Sequence, residues 1–201
     1  MIIDSVAQLR TLYPMPKERA LRKQLDALDD HCRRFVALSP FVVVASGDAA
    51  GGLDASPRGG APGFVRCVDA HTMLIPDAPG NNRLDTLENI VATGRIGLLF
   101  MIPGVDETLR VNGGARLTVA PERLSAFADD SRPPKLVIEV SVREAYLHCA
   151  KALMRSSLWD PATRIDRAVL PTMGRMLADQ IGASGPVETQ QEMLARYAAD
   201  L

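Results

Sequence analysis

The longest uninterrupted apolar runs in this chain are 41–45 and 96–102, closed by Ser46-Gly47 and Pro103-Gly104. Runs of that size suit buried strands and fall far short of the roughly 20 residues that span a bilayer. The segments 53–56, 63–68 and 72–75 are equally short, are cut off by Pro, Gly or Asp, and read as strands of an antiparallel meander. Residues 107–119 place Leu109, Val111, Ala115, Leu117 and Val119 on alternating positions, with Gly113-Gly114 permitting a bulge or sharp bend. In 135–142 the inward set is Leu136, Ile138, Val140 and Val142, with Lys135, Val137, Glu139 and Ser141 facing away. The 15 glycines and 14 prolines supply the turns. Six or so strands so punctuated predict a closed or nearly closed antiparallel β-barrel.

Helices flank this region. Leu21, Leu25, Leu28, Cys32 and Phe35 recur at steps of four and three, predicting one amphipathic helix over about 16–35. Pro79-Gly80-Asn81-Asn82 is a turn. Asp85 then stands where it can cap a helix, with Glu88 three residues on and Gly94 at its end. After Tyr146 the chain reads as helical again over 149–158, 171–181 and 187–200. The expectation is a single α+β domain, 1–201, with its barrel over about 41–147 and C-terminal helices over about 149–200.

Several function classes are disfavoured. The 23 Lys+Arg and 24 Asp+Glu leave a net charge of -1, no field for drawing in nucleic acid or an acidic membrane, and aromatics are only 4%. Cys32, Cys67 and Cys149 are odd in number and far apart, which suits neither a disulfide scaffold nor a zinc ribbon. The start, Met1-Ile2-Ile3-Asp4, lacks the pattern of a secretory signal, so a soluble, cytoplasmic protein is expected. His31-Cys32 and His148-Cys149 are sequence neighbours whose side chains diverge, so no metal site is assigned. HExxH, GxSxG, P-loop and GxGxxG patterns are missing, and no catalytic residue is assigned.

Two segments suit an anion. Asn81, Asn82 and Arg83 precede a helix start, where free N–H groups and the helix dipole favour negative charge, and Arg83 adds a fork that matches phosphate. The same residues would serve as an ordinary polar turn, with Asp85 pairing with Arg83. Ser56-Pro57-Arg58-Gly59-Gly60 follows a short strand and permits close approach of backbone to a flat ligand; its plainer reading is a flexible hairpin tip.

Taken together, 54–59, Pro62-Gly63-Phe64-Val65, Pro76-Asp77 and 79–87 resemble a branch of the pyridoxamine 5'-phosphate oxidase-like FMN-binding family. The resemblance continues through 97–104, 107–113, His148-Cys149, Lys151-Ala152, Arg155-Ser156 and 158–161, and so covers roughly residues 20–161. It implies an α+β fold, a six-stranded antiparallel split β-barrel with flanking helices, usually a homodimer with FMN at the interface. Asn81, Arg83 and Thr86 then resemble the phosphate contacts, while Asn82 stands where the branch often has another Arg. Ser56, Arg58, Gly59, Phe64, Val65 and Pro76 resemble the strand edge and loops that approach the flavin, and Arg110, Lys151 and Arg155 are further candidates from this or the partner subunit. The expected function is an FMN-dependent oxidoreductase acting on an unidentified small substrate by hydride transfer at flavin N5. Arg58 or Lys151 would stabilise negative charge near N1. The alternatives are a non-catalytic flavin carrier or sensor, haem in the split barrel with His31, His71 or His148 as ligand, or a β-barrel interaction module in which Arg83 is an ordinary surface residue. True oxidases of pyridoxamine phosphate carry further basic residues near the C-terminus; the segment 196–201 departs from that, so oxidation of that vitamer is not expected.

Overall fold

A computed structural model describes residues 2–198 of the chain. The chain divides into two compact units, Met1–Ser156 and Ser157–Leu201. The first opens with three short helices, α1 (Val6–Leu12), α2 (Glu18–Arg22) and α3 (Asp30–Leu38), and continues with β1 (Phe41–Gly47), β2 (Leu53–Gly59), β3 (Arg66–Cys67) and β4 (Thr72–Pro76). Then come α4 (Asp85–Thr93), β5 (Arg95–Met101), β6 (Thr108–Thr118), α5 (Pro121–Leu124), β7 (Val137–His148) and α6 (Lys151–Ser156). The second unit holds α7 (Met173–Ile181) and α8 (Gln190–Ala198); the last residues of the helix expected over 187–200 lie outside the described residues.

The seven strands form one antiparallel sheet in the order β2-β1-β5-β6-β7-β4-β3, curled but not closed by hydrogen bonds, which is the split form of the expected barrel. The meander is not simple, because β2 and β3 stand at opposite edges of the sheet and do not pair. Only Arg66–Cys67 of the expected strand 63–68 is in the ladder; Phe64 and Val65 precede it and bury their side chains in the core. That core packs α3 and α4 against one sheet face through Leu28, Val36, Val44, Leu87, Phe100 and Val111.

The helix expected over 16–35 is interrupted. Leu25 exchanges both backbone hydrogen bonds with Ala145 at 2.9 Å, an extended pairing that a helix cannot accommodate. A new helix, α3, then starts where the Asp29 carboxylate accepts from the Cys32 amide at 2.8 Å. At α4 the residue before the helix is Leu84, and Asp85 lies inside the first turn without capping it; its carboxylate turns to Arg83. The other end follows expectation, since Gly94 adopts φ 62° and donates its N–H to Ile90.

On β7 the expected outward residues Val137 and Glu139 are buried. A second small core of Leu74, Phe127 and Val137 covers that face. Glu139 is satisfied there by Arg116 at 2.6 and 3.0 Å and by Arg123 at 2.6 Å. The bulge expected at Gly113 is present, as a register shift between β6 and β7 at Asn112/Gly113.

Candidate functional site

Alternation along β2 sends Asp54, Ser56 and Arg58 to one face, half-buried, while Leu53, Ala55, Pro57 and Gly59 are exposed on the other. Register sets Asp54 against Ser46 and Ser56 against Val44 of β1. From α4, Thr86 is buried against the same face, and its hydroxyl donates to Asp54 Oδ2 at 2.6 Å. The Ser56 hydroxyl lies 3.0 and 3.1 Å from the two carboxylate oxygens and Ser46 at 3.5 Å, while Asn89 donates to Ser46 at 3.0 Å. Asp54 is therefore the centre of the network. Its pKa is held below the ordinary value, first by the Thr86 hydrogen bond and also by Ser56 and the charge of Arg58.

Arg58 also acts on Asp77, just beyond β4, whose carboxyl is pushed the other way by burial. The charge of this one arginine therefore acts on carboxylates of both β2 and the end of β4. The turn before α4 supplies the second cation. Arg83 pairs with Asp85, its amide donates to Asn81 Oδ1 at 3.0 Å, and Asn82 sits at φ 59°. That conformation suits Asn and disfavours a longer side chain, which gives a local reason for Asn rather than Arg at position 82. Between the β1–β2 hairpin and α4 lies an open cleft of about 670 Å³, lined by Asp48, Asp54, Arg83, Asp85, Glu88 and Asn89 among others.

The structure thus hydrogen-bonds Ser56 and Thr86 to one carboxylate within the field of Arg58, with Asn81, Asn82 and the Arg83–Asp85 pair in the adjoining turn. Gly59 and Pro76 end β2 and β4. Phe64 and Val65 offer only backbone to a ligand, because their side chains are in the core. Arg110 belongs to a separate group on β6 and β7: it donates to the Tyr146 hydroxyl at 2.9 Å and stacks on that ring, as does Lys23 from the other chain segment. Lys151 and Arg155 are exposed on α6, where Arg155 bonds to the Lys151 carbonyl. In register, Arg58, Val42, Phe100, Leu109 and Leu147 form one row across the sheet, so α6 follows the same end as Arg58. Four strand spacings, roughly 19 Å along the sheet, separate β2 from β7. None of the three histidines lines this cleft. Among the described residues no group of acids, His and Cys is arranged to hold a metal ion.

Asp54 falls within the 54–59 resemblance, which assigns it no contact of its own. The polar alternation Asp54-x-Ser56-x-Arg58 on a strand was its visible signal, since a half-buried strand face is ordinarily apolar.

An antiparallel split barrel with this polar cleft between an edge strand and a helix start defines a class, and comparison with known proteins names it. The family model described as pyridoxamine 5'-phosphate oxidase matches residues 28–149, and the chain belongs to that family. Among solved structures, HupZ from Group A Streptococcus matches with a TM-score of 0.50 and 18% identity, over 60% of this chain and 93% of that one. A protein from Lactobacillus delbrueckii, named for the same oxidase, matches with a TM-score of 0.49 and 17% identity, over 62% of this chain and 98% of that one. No curated protein sequence matches the chain. The likeness to HupZ is one of fold, the split barrel.

Proposed function

We propose that this chain is a flavoprotein that holds FMN in the cleft between β2 and α4 and serves as an oxidoreductase for a small substrate. The observation that carries the reading is the convergence of the Thr86 and Ser56 hydroxyls on the Asp54 carboxylate in the field of Arg58, beside the Arg83–Asp85 pair of the turn before α4. Hydroxyl donors grouped with an ionised carboxylate suit the hydroxyls of a ribityl chain, and the cationic turn at Arg83 suits the phosphate. The donor set therefore fits a phosphorylated flavin. Membership of the pyridoxamine 5'-phosphate oxidase family supports the class.

In this reading Arg83, Asn81 and Asn82 face the phosphate, and Arg83 exchanges its Asp85 contact for the ligand. Thr86 and Ser56 donate to phosphate or ribityl oxygens, Asp54 accepts from ribityl hydroxyls, and Gly59, Pro76 and the backbone at Phe64-Val65 shape the wall. Bound FMN would supply hydride acceptance and donation; the protein's part is binding, orientation and positive charge, with Arg58 the best-placed cation. Arg110, Lys151 and Arg155 are assigned to the flavin from a second subunit.

That assignment needs a homodimer, and the outer sheet face is suited to one. Val43, Ala45, Leu53, Ala55, Pro57 and Leu99 lie together on it by register, opposite the core, with Leu53 90% exposed. Three unpaired cysteines suit a reducing, cytoplasmic setting. No helix among the described residues is long and apolar enough to cross a membrane.

The test is the visible spectrum of the purified protein, with the chromophore extracted and identified. Flavin bands and FMN in the extract are expected; a protein that is colourless and takes up no FMN on titration, or one showing a haem Soret band, overturns the reading. Reduction of the bound flavin by NADH or NADPH then separates an oxidoreductase from a carrier.

A further inference from the structure

A second cleft, of about 600 Å³, lies at the other side of the β1–β2 hairpin tip and includes Ser46, Thr93, Arg95, Asn112, Arg143 and Glu144 in its lining. It is built around the β6–β7 bulge. In register Asn112 faces Glu144 and Gly113 faces Val142, which leaves Arg143 as the extra residue of β7. A bulge of this kind re-aims the side chain it carries. Gly113 makes it possible, because a Cβ there would stand 2.1 Å from the Ser141 carbonyl oxygen.

Gly114 follows, paired with Arg95 of β5 on one side and Ser141 on the other. A Cβ at Gly114 would meet only the Gly94 carbonyl oxygen at 3.6 Å and Arg143 Nη2 at 3.7 Å. Paired residues of neighbouring antiparallel strands project to the same face, so Arg95 shares this face with the missing side chain of Gly114. The result is a notch over Gly114 with an arginine on either side. β5 and β7 are two strand spacings apart, roughly 10 Å, a span that two arginine side chains can close around a single tetrahedral anion.

The charges on the lining are unequal in their engagement. Asp48 Oδ1 accepts from the amides of Ala50 and Gly52, both at 2.8 Å, and Glu144 accepts from Asn112 at 2.5 Å and from Gln24. Neither the Arg95 nor the Arg143 guanidinium has a hydrogen bond or ion pair with another described residue. The acids are taken up by the chain's own donors, and the two cations are not.

We propose that the notch over Gly114 is a binding site for the phosphate group of a small molecule, held between Arg95 and Arg143. The cleft adjoins the β2–α4 cleft, with which it shares Asp48, Gly52 and Leu53, but its two arginines do not line that one. Both arginines are exposed and unpaired, so replacing them with Gln leaves the fold intact.

The experiment is titration of the full chain with inorganic phosphate, read at the backbone amide resonances of Gly113 and Gly114, with chloride at matched ionic strength as reference. Saturable shifts are expected with phosphate and not with chloride. Affinity should fall about tenfold in Arg95→Gln and in Arg143→Gln, the loss of one charge-assisted contact, and stay unchanged in Arg83→Gln at the other cleft. Equal shifts with chloride, no saturable shift at these glycines, or shifts insensitive to both arginine substitutions would overturn the proposal.

Discussion

At the scale of single residues, Asp54 decides how the candidate site behaves with pH. Its folded-state pKa is depressed, so the stability it contributes is present above the ordinary carboxylate value, about 3.9, and is lost as pH falls through the lower folded value. Asp77 has the opposite sign, because burial raises it: its contribution is present below the ordinary value and is lost as pH rises through the folded one. Thr86→Val removes the largest cause of the Asp54 depression while keeping the side-chain shape. The Asp54 carboxyl should then titrate at higher pH than in the wild type, at a cost of about 1 kcal/mol in stability near neutral pH, since a half-exposed site is screened. Carbon-detected titration of the Asp54 carboxyl checks this, and an unshifted curve would show that Thr86 does not hold it. Of the residues named from sequence, Ser56 and Thr86 hydrogen-bond to one carboxylate, while Arg83 pairs with Asp85 and Arg58 bonds to the Pro57 carbonyl. The carboxylate itself was hidden, because a β2 aspartate reads as a solvated residue until α4 is folded over it. Phe64 and Val65 rest on resemblance, which does not separate a backbone approach from a side-chain one, and their side chains lie in the core.

At the scale of elements, sequence periodicity succeeded where one face of a segment meets the core and failed where a second contact intervened. Gly113-Gly114 announced the bulge correctly, and Gly94 the end of α4. The run from Leu21 to Phe35 keeps helical spacing, yet Leu25 is drawn into a backbone pair with Ala145, a partner 120 residues away that no local pattern reveals. Likewise Glu139 alternates like a solvent-facing residue. It is buried because the segment after β6 folds across it and brings Arg123 and Phe127. The sharpest prediction at this scale concerns Gly113. Its replacement by Ala puts a methyl group into the Ser141 carbonyl, with backbone on both sides and little room to yield. A loss of about 3 kcal/mol is expected in chemical denaturation; a change below about 0.5 kcal/mol would mean that the bulge tolerates a side chain there. Gly114→Ala meets only ordinary van der Waals contacts and should be nearly neutral in the same assay.

At the scale of the molecule, the sheet carries two different faces. One holds the core, and the other presents apolar residues of β1, β2 and β5 that a lone subunit leaves in water. Light scattering coupled to size exclusion should therefore give a dimer, and Leu53→Lys should shift it toward monomer by placing a charge at its most exposed point; a monomeric wild type would remove the second subunit from the site. The split barrel and its family could be read from the motifs, because short strands and their glycine and proline turns are local features. The order of the strands and the presence of β2 and β3 at opposite edges could not, because they are set by long-range pairing. If Arg58 and Arg83 hold a phosphorylated flavin, cofactor-free protein titrated with FMN and with riboflavin will tell the two apart by the phosphate alone. The wild type should bind FMN at least tenfold more tightly than riboflavin, and the difference should collapse in the Arg58→Gln/Arg83→Gln double variant. Equal affinity of the wild type for the two flavins, or a preference for FMN that survives the double substitution, would contradict that role of the two arginines.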